Sequence, residues 1–114
     1  MKKLLIVMEE NCLRSALEKQ LAHSFQVFVC DDAHSGAEGL RERPDALILD
    51  LFLPGMDGIT FLNQNREKLP PVILALSSFI SSFVLQKLAE LGVSAVIQIP
   101  CTVSCVADRL KAHI

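Results

Sequence analysis

The sequence contains no tryptophan and no tyrosine; six phenylalanines are its only aromatic side chains. Partner surfaces anchored by Trp or Tyr are therefore excluded, and base stacking would fall to Phe alone. A basic excess is also missing, since 11 Lys and Arg stand against 13 Asp and Glu for a formal charge of −2. No direct nucleic-acid binding is expected from charge of that sign. No apolar run approaches the roughly 18 residues that cross a bilayer. The earliest, Leu4–Met8, is too short for an export signal and ends at Glu9-Glu10. The expectation is a cytoplasmic protein without a membrane role. The four cysteines, Cys12, Cys30, Cys101 and Cys105, lack Cys-x-x-Cys spacing, so no zinc site is expected and they read as reduced, small buried hydrophobes. What is present is apolar bulk, 51% of 114 residues, which suits one domain with a real core and argues against disorder.

Short runs rich in Val, Ile and Leu recur at Leu4–Met8, Gln26–Cys30, Ala46–Leu49, Val72–Leu76 and Ala95–Ile99. Their continuous apolar character fits strands of a parallel sheet buried on both faces. Helical patterns lie between them. Asn11 caps a first helix with Leu13, Leu17 and Leu21 on one face, ending near His23. A second spans Ala33–Arg43 before Pro44, a third Asp57–Lys68 before Pro70-Pro71, and a fourth Ser81–Leu91 before Gly92. Thr102 or Ser104 opens the last. Alternation of this kind predicts an α/β flavodoxin-like fold, a doubly wound five-stranded parallel sheet of order 2-1-3-4-5 with helices on both faces.

Ligand crevices of such sheets lie beyond the carboxyl ends of the strands, at the switch in winding direction. Here those ends are acidic: Glu9 and Glu10 leave the first strand and Asp50 leaves the third. Each alone reads as a solvated loop carboxylate. Their convergence from separate segments would instead favour a hard cation, Mg²⁺ ahead of Zn²⁺, because clustered carboxylates repel.

The stretch Pro44-Asp45-Ala46-Leu47-Ile48-Leu49-Asp50-Leu51-Phe52-Leu53-Pro54-Gly55-Met56-Asp57-Gly58 resembles the third-strand signature of response-regulator receiver domains. The likeness extends along the chain through the Asn11–Leu21 helix, Gly36-Ala37, Leu91-Gly92-Val93-Ser94 and Pro100. It implies a single receiver domain, residues 1–114, in a two-component phosphorelay, with no enzymatic or DNA-binding output of its own. Asp50 would be the phosphoacceptor for a histidine kinase or phosphotransfer protein. Mg²⁺, weakly held, would be bound by Glu9, Asp50 and the Phe52 carbonyl, with Glu10 as a further candidate. Ser77 would hydrogen-bond a phosphoryl oxygen, with Ser78 as the competing assignment and helix opening as the plainer role of both. The Ile99–Pro100 bond is expected to be cis.

Three departures weaken the likeness. Where the family places two adjacent acids, this chain has Met8 then Glu9; where it has a lysine before Pro100, it has Ile99; and its aromatic switch position holds Val96. Two functions therefore compete: a phosphoacceptor that switches a partner, and a pseudoreceiver serving as a phosphorylation-independent interaction or dimerisation module. A third, a flavodoxin-like cofactor binder, is disfavoured because Glu9-Glu10 would repel a phosphate. In the fourth helix Val84, Leu88 and Leu91 form the core stripe, which leaves Ile80, Phe83 and Leu85, together with Val96 and Gln98, as a candidate apolar interface on the face of the fourth helix, last strand and last helix. His23, His34 and His113 are too scattered for a metal site. Asp31-Asp32 and Asp57 read as helix caps.

Overall fold

In the computed structural model, which describes residues 1–114, each apolar run becomes a strand because its side chains alternate between two buried faces. In chain order the elements are β1 (Lys3–Val7), α1 (Cys12–Leu21), β2 (Gln26–Cys30), α2 (Ala33–Gly39), β3 (Ala46–Asp50), β4 (Phe52–Leu53), β5 (Met56–Asp57), α3 (Gly58–Gln64), β6 (Val72–Ser77), α4 (Ser82–Glu90), β7 (Ala95–Gln98) and α5 (Val103–His113). The sheet order is β2-β1-β3-β6-β7, all parallel. Counting only these five strands, that is the expected 2-1-3-4-5.

Alternation divides the core in two. Leu4, Ile6, Ile48, Leu74 and Ile97 meet Leu17, Leu21, Val106 and Leu110 of α1 and α5. Leu5, Val7, Leu47, Leu49 and Ile73 meet Phe61, Leu62 and Leu88 of α3 and α4. Asn11, Asp32, Asp57, Ser81 and Thr102 each accept a backbone N–H at the start of a helix, which satisfies donors the helix itself leaves open. Gly92 follows α4 at φ 84°, a conformation that costs glycine little.

Several boundaries differ from those expected. The second helix stops at Gly39 and tightens into a 3-10 turn over Leu40–Glu42, after which Arg43 adopts φ 52°. Pro44 disfavours helical geometry in the residue before it, so the chain leaves the helix early. The third ends at Gln64, with a 3-10 turn at Arg66–Lys68; there the Asn65 side-chain amide and backbone N–H both donate to the Phe61 carbonyl, at 2.8 and 3.1 Å. Met8 lies just outside β1, while the antiparallel β4–β5 ribbon, turned by Gly55 at φ 75°, went unforeseen. The cysteines are not buried as expected: Cys12 and Cys105 are exposed in the first turns of α1 and α5, and Cys101 is half-buried. Cys30 is half-buried too, since β2 is an edge strand. The Ile99–Pro100 bond is cis.

Candidate functional site

Strand register assembles the site. Val7 pairs with Leu49 and Asp50 with Leu76, so Met8, Asp50 and Ser77 come to one edge of the sheet. Asp50 is only 8% exposed, and one carboxylate oxygen, Oδ1, accepts the Phe52 N–H at 2.9 Å. Burial pushes the Asp50 pKa upward; the Phe52 N–H opposes that rise, and the nearby charge of Glu9 adds to it. Glu9 therefore shares a field with Asp50. Glu10 is exposed, and no three Asp, Glu, His or Cys side chains converge as a metal cluster.

Ser77 ends β6. Its hydroxyl donates to the Phe79 carbonyl at 2.6 Å and accepts the Phe79 N–H at 3.2 Å, a closed turn that holds the hydroxyl within its own loop. Ser78 is exposed and forms no cap, since Ser81 opens α4. A cavity of about 210 Å³ adjoins these loops, lined by Phe52, Asp57, Ser77, Ser78 and Phe79 among others. Asp50 is not on its wall.

The three departures acquire places. Met8, 1% exposed, belongs to the core on the α1 and α5 side, so an apolar side chain stands at the level where an acid would face Asp50. Ile99 is half-buried against the same core, and its N–H donates to the Ser77 carbonyl at 3.0 Å. Val96 is half-buried against the other core. Of the expected apolar interface, Ile80 and Val96 are half-buried and Phe83 and Leu85 are exposed, at 67% and 44%. Phe79, just before α4, is exposed as well, at 70%. Lys87 lies 5.7 Å over the Phe83 ring.

Arg14 escaped sequence reasoning. Its guanidinium donates to the Met8 carbonyl at 3.0 Å and pairs with Asp31, although its side chain is only 12% exposed. It ties the start of α1 to the end of β1 and so braces the loop bearing Glu9. By pattern alone it is one more polar helix residue. Asp31, expected as a cap, serves this pair instead, and Asp32 caps α2 with reciprocal bonds to Ser35. His34 pairs with Glu38 along α2.

The sequence matches the family model described as "Response regulator receiver domain" over residues 4–111. The response regulator MprA of Mycobacterium ulcerans (strain Agy99) is 33% identical over 86 residues, covering 69% of this chain and 36% of that protein. The chain thus spans a little over a third of the length of the curated relatives it matches. Among solved structures, the BeF3-activated N-terminal receiver domain of Klebsiella pneumoniae RstA is 28% identical with a TM-score of 0.82, covering 97% of each chain. The chemotaxis protein CheY4 of Vibrio cholerae, at 22% identity, has a TM-score of 0.88 over 100% of this chain and 99% of that one, which shows a shared fold.

Proposed function

Because the chain belongs to the response-regulator receiver domains of two-component systems, we propose that it takes a phosphoryl group onto Asp50 from a histidine kinase or phosphotransfer protein. The observation that carries this is the buried Asp50 carboxylate at the end of β3, with Glu9 in its field and Ser77 at the end of the neighbouring strand. The Phe52 N–H occupies Oδ1, which leaves Oδ2 as the attacking atom. As Oδ2 forms its bond to phosphorus, the phosphorus–nitrogen bond of the donor breaks in line, and the imidazole leaves with the electron pair and a proton from solvent. Ser77 reaches a phosphoryl oxygen only by giving up the Phe79 carbonyl.

Glu9, Asp50 and the Phe52 carbonyl form an oxygen-only donor set of the kind Mg²⁺ accepts when water and phosphate oxygens complete its shell. When bound, Mg²⁺ neutralises charge on the transferring group. Met8 adds no oxygen, which weakens affinity; Glu9 and Glu10 are both exposed, and it is the charge of Glu9 that acts on Asp50.

Incubation with phosphoramidate and Mg²⁺, followed by intact mass, tests this. The native chain is expected to gain one acid-labile phosphoryl group and Asp50→Asn none. No gain in the native chain would overturn the phosphoacceptor role and leave the interaction module; gain in the variant would overturn the assignment to Asp50. Asp50→Asn also has an expected effect on stability. A carboxyl whose folded pKa is raised destabilises the fold as pH climbs through that pKa, and costs nothing below its unfolded value, where both states are protonated. Thermal melting of Asp50→Asn should therefore exceed the native chain by a few degrees at neutral pH, with the gap closing below the ordinary carboxylate range. A gap independent of pH would assign the gain to something other than charge.

The exposed ring of Phe83 supports a second contact, with another copy of this chain. Light scattering should give a dimer for the native chain and a monomer for Phe83→Glu. Monomers in both, or dimers in both, would remove the contact.

A further inference from the structure

We propose that the cavity at the end of the sheet opposite Asp50 binds a small organic polyphosphate. Because the strands are parallel, Pro44 before β3 and Pro71 before β6 lie at the far edge from the phosphoacceptor. There the α2–β3 and α3–β6 connections border a half-open cavity of about 420 Å³, within the range that holds one small ligand.

Its charge runs against that of the chain. Arg41, Arg43 and Lys68 line it against the single carboxylate of Glu67, in a protein of formal charge −2. These three cations take no part in any ion pair; the pairs formed are Arg14–Asp31, His34–Glu38 and Lys87–Glu90. All three are exposed, and two guanidiniums and an ammonium along one cavity suit phosphate oxygens, which guanidinium binds in a fork.

The backbone points the same way. Arg43 holds φ 52°, and the other two residues of positive φ, Gly55 and Gly92, are glycines. Glycine would serve that turn with less strain, so an arginine there signals a use for its guanidinium. Pro44, Pro70 and Pro71 line the same cavity, and of the three Pro71 is the exposed one. Its fixed ring gives an aliphatic surface for the ring of a nucleoside.

Isothermal titration of the full chain with ADP and, separately, with pyrophosphate tests the site. ADP is expected to bind more tightly than pyrophosphate, and Arg43→Gly to weaken ADP by about tenfold while its melting temperature holds or rises. That opposite movement separates lost binding from lost folding. Arg43→Lys should fall between the two, and Asp50→Asn should bind ADP as the native chain does. Absence of ADP binding at millimolar concentration, or native affinity in Arg43→Gly, would overturn the site. Equal affinity for pyrophosphate would overturn the contact of a nucleoside with Pro71, and a loss in Asp50→Asn would move the ligand to the phosphoacceptor end.

Discussion

Ile99→Lys is expected to accelerate phosphoryl uptake by about 10²-fold. The Ile99 N–H donates to the Ser77 carbonyl at 3.0 Å, so residue 99 is fixed beside the strand end that borders the transfer site. In the proposed transfer to Asp50, negative charge would accumulate there, and the native chain offers it an aliphatic side chain. A preorganised donor at such a position is worth about 10²–10³ in rate. Ile99 is half-buried against the core cluster that includes Met8 and Ile97, and the alkyl stem of lysine keeps much of that contact while its ammonium reaches the rim. Initial rates of mass gain from phosphoramidate measure the effect, with Ile99→Met as the control that lengthens the side chain without charge. A lysine variant no faster than that control would show that residue 99 does not face the transferring group.

Gly58→Ala is expected to cost about 3 kcal/mol of stability. A Cβ at Gly58 would lie 2.6 Å from Cδ2 of Leu51 and 2.7 Å from its Cα, and the second is backbone that no rotamer change clears. The Gly58 N–H also donates to the Leu51 carbonyl at 2.7 Å, while the Leu51 N–H donates to Leu76 at 2.9 Å. Leu51 is therefore held from both sides, directly after Asp50. Relief of the clash must shift β4 or lift α3, and the first of these pulls the Phe52 N–H from Asp50. Urea denaturation should show the loss as a lower midpoint at unchanged slope, a large fraction of the stability of a domain this size. A loss below about 1 kcal/mol would mean that Leu51 yields and that the close approach is dispensable.

The order of elements could be read from local pattern because each pattern answers to local physics. A strand buried on both faces needs continuous Val, Ile and Leu, as at Leu47–Leu49; a helix needs a cap, as at Asn11, Asp57 and Ser81; and a proline forbids what precedes it. These constraints act within a few residues. Alternation of strands and helices then leaves few topologies, since right-handed crossovers admit little else. The place of Asp50 was readable for the same reason, since it stands where the apolar run of β3 ends; its proposed role came from the family resemblance.

Other features depend on segments distant in the chain. Whether Glu9 or Glu10 shares a field with Asp50 depends on how the loop leaves β1, and Arg14 settles that loop by reaching the Met8 carbonyl and Asp31. The Ser77 hydroxyl turned into its own loop because Phe79 offers both a donor and an acceptor two residues on. The cysteines of α1 and α5 came to the surface through helix rotation, and Val96 became half-buried against the core that holds Leu88. Residue types and spacings state which partners a side chain can take; which one it takes is decided by packing across the sheet, where contact between residues tens of positions apart outweighs local preference.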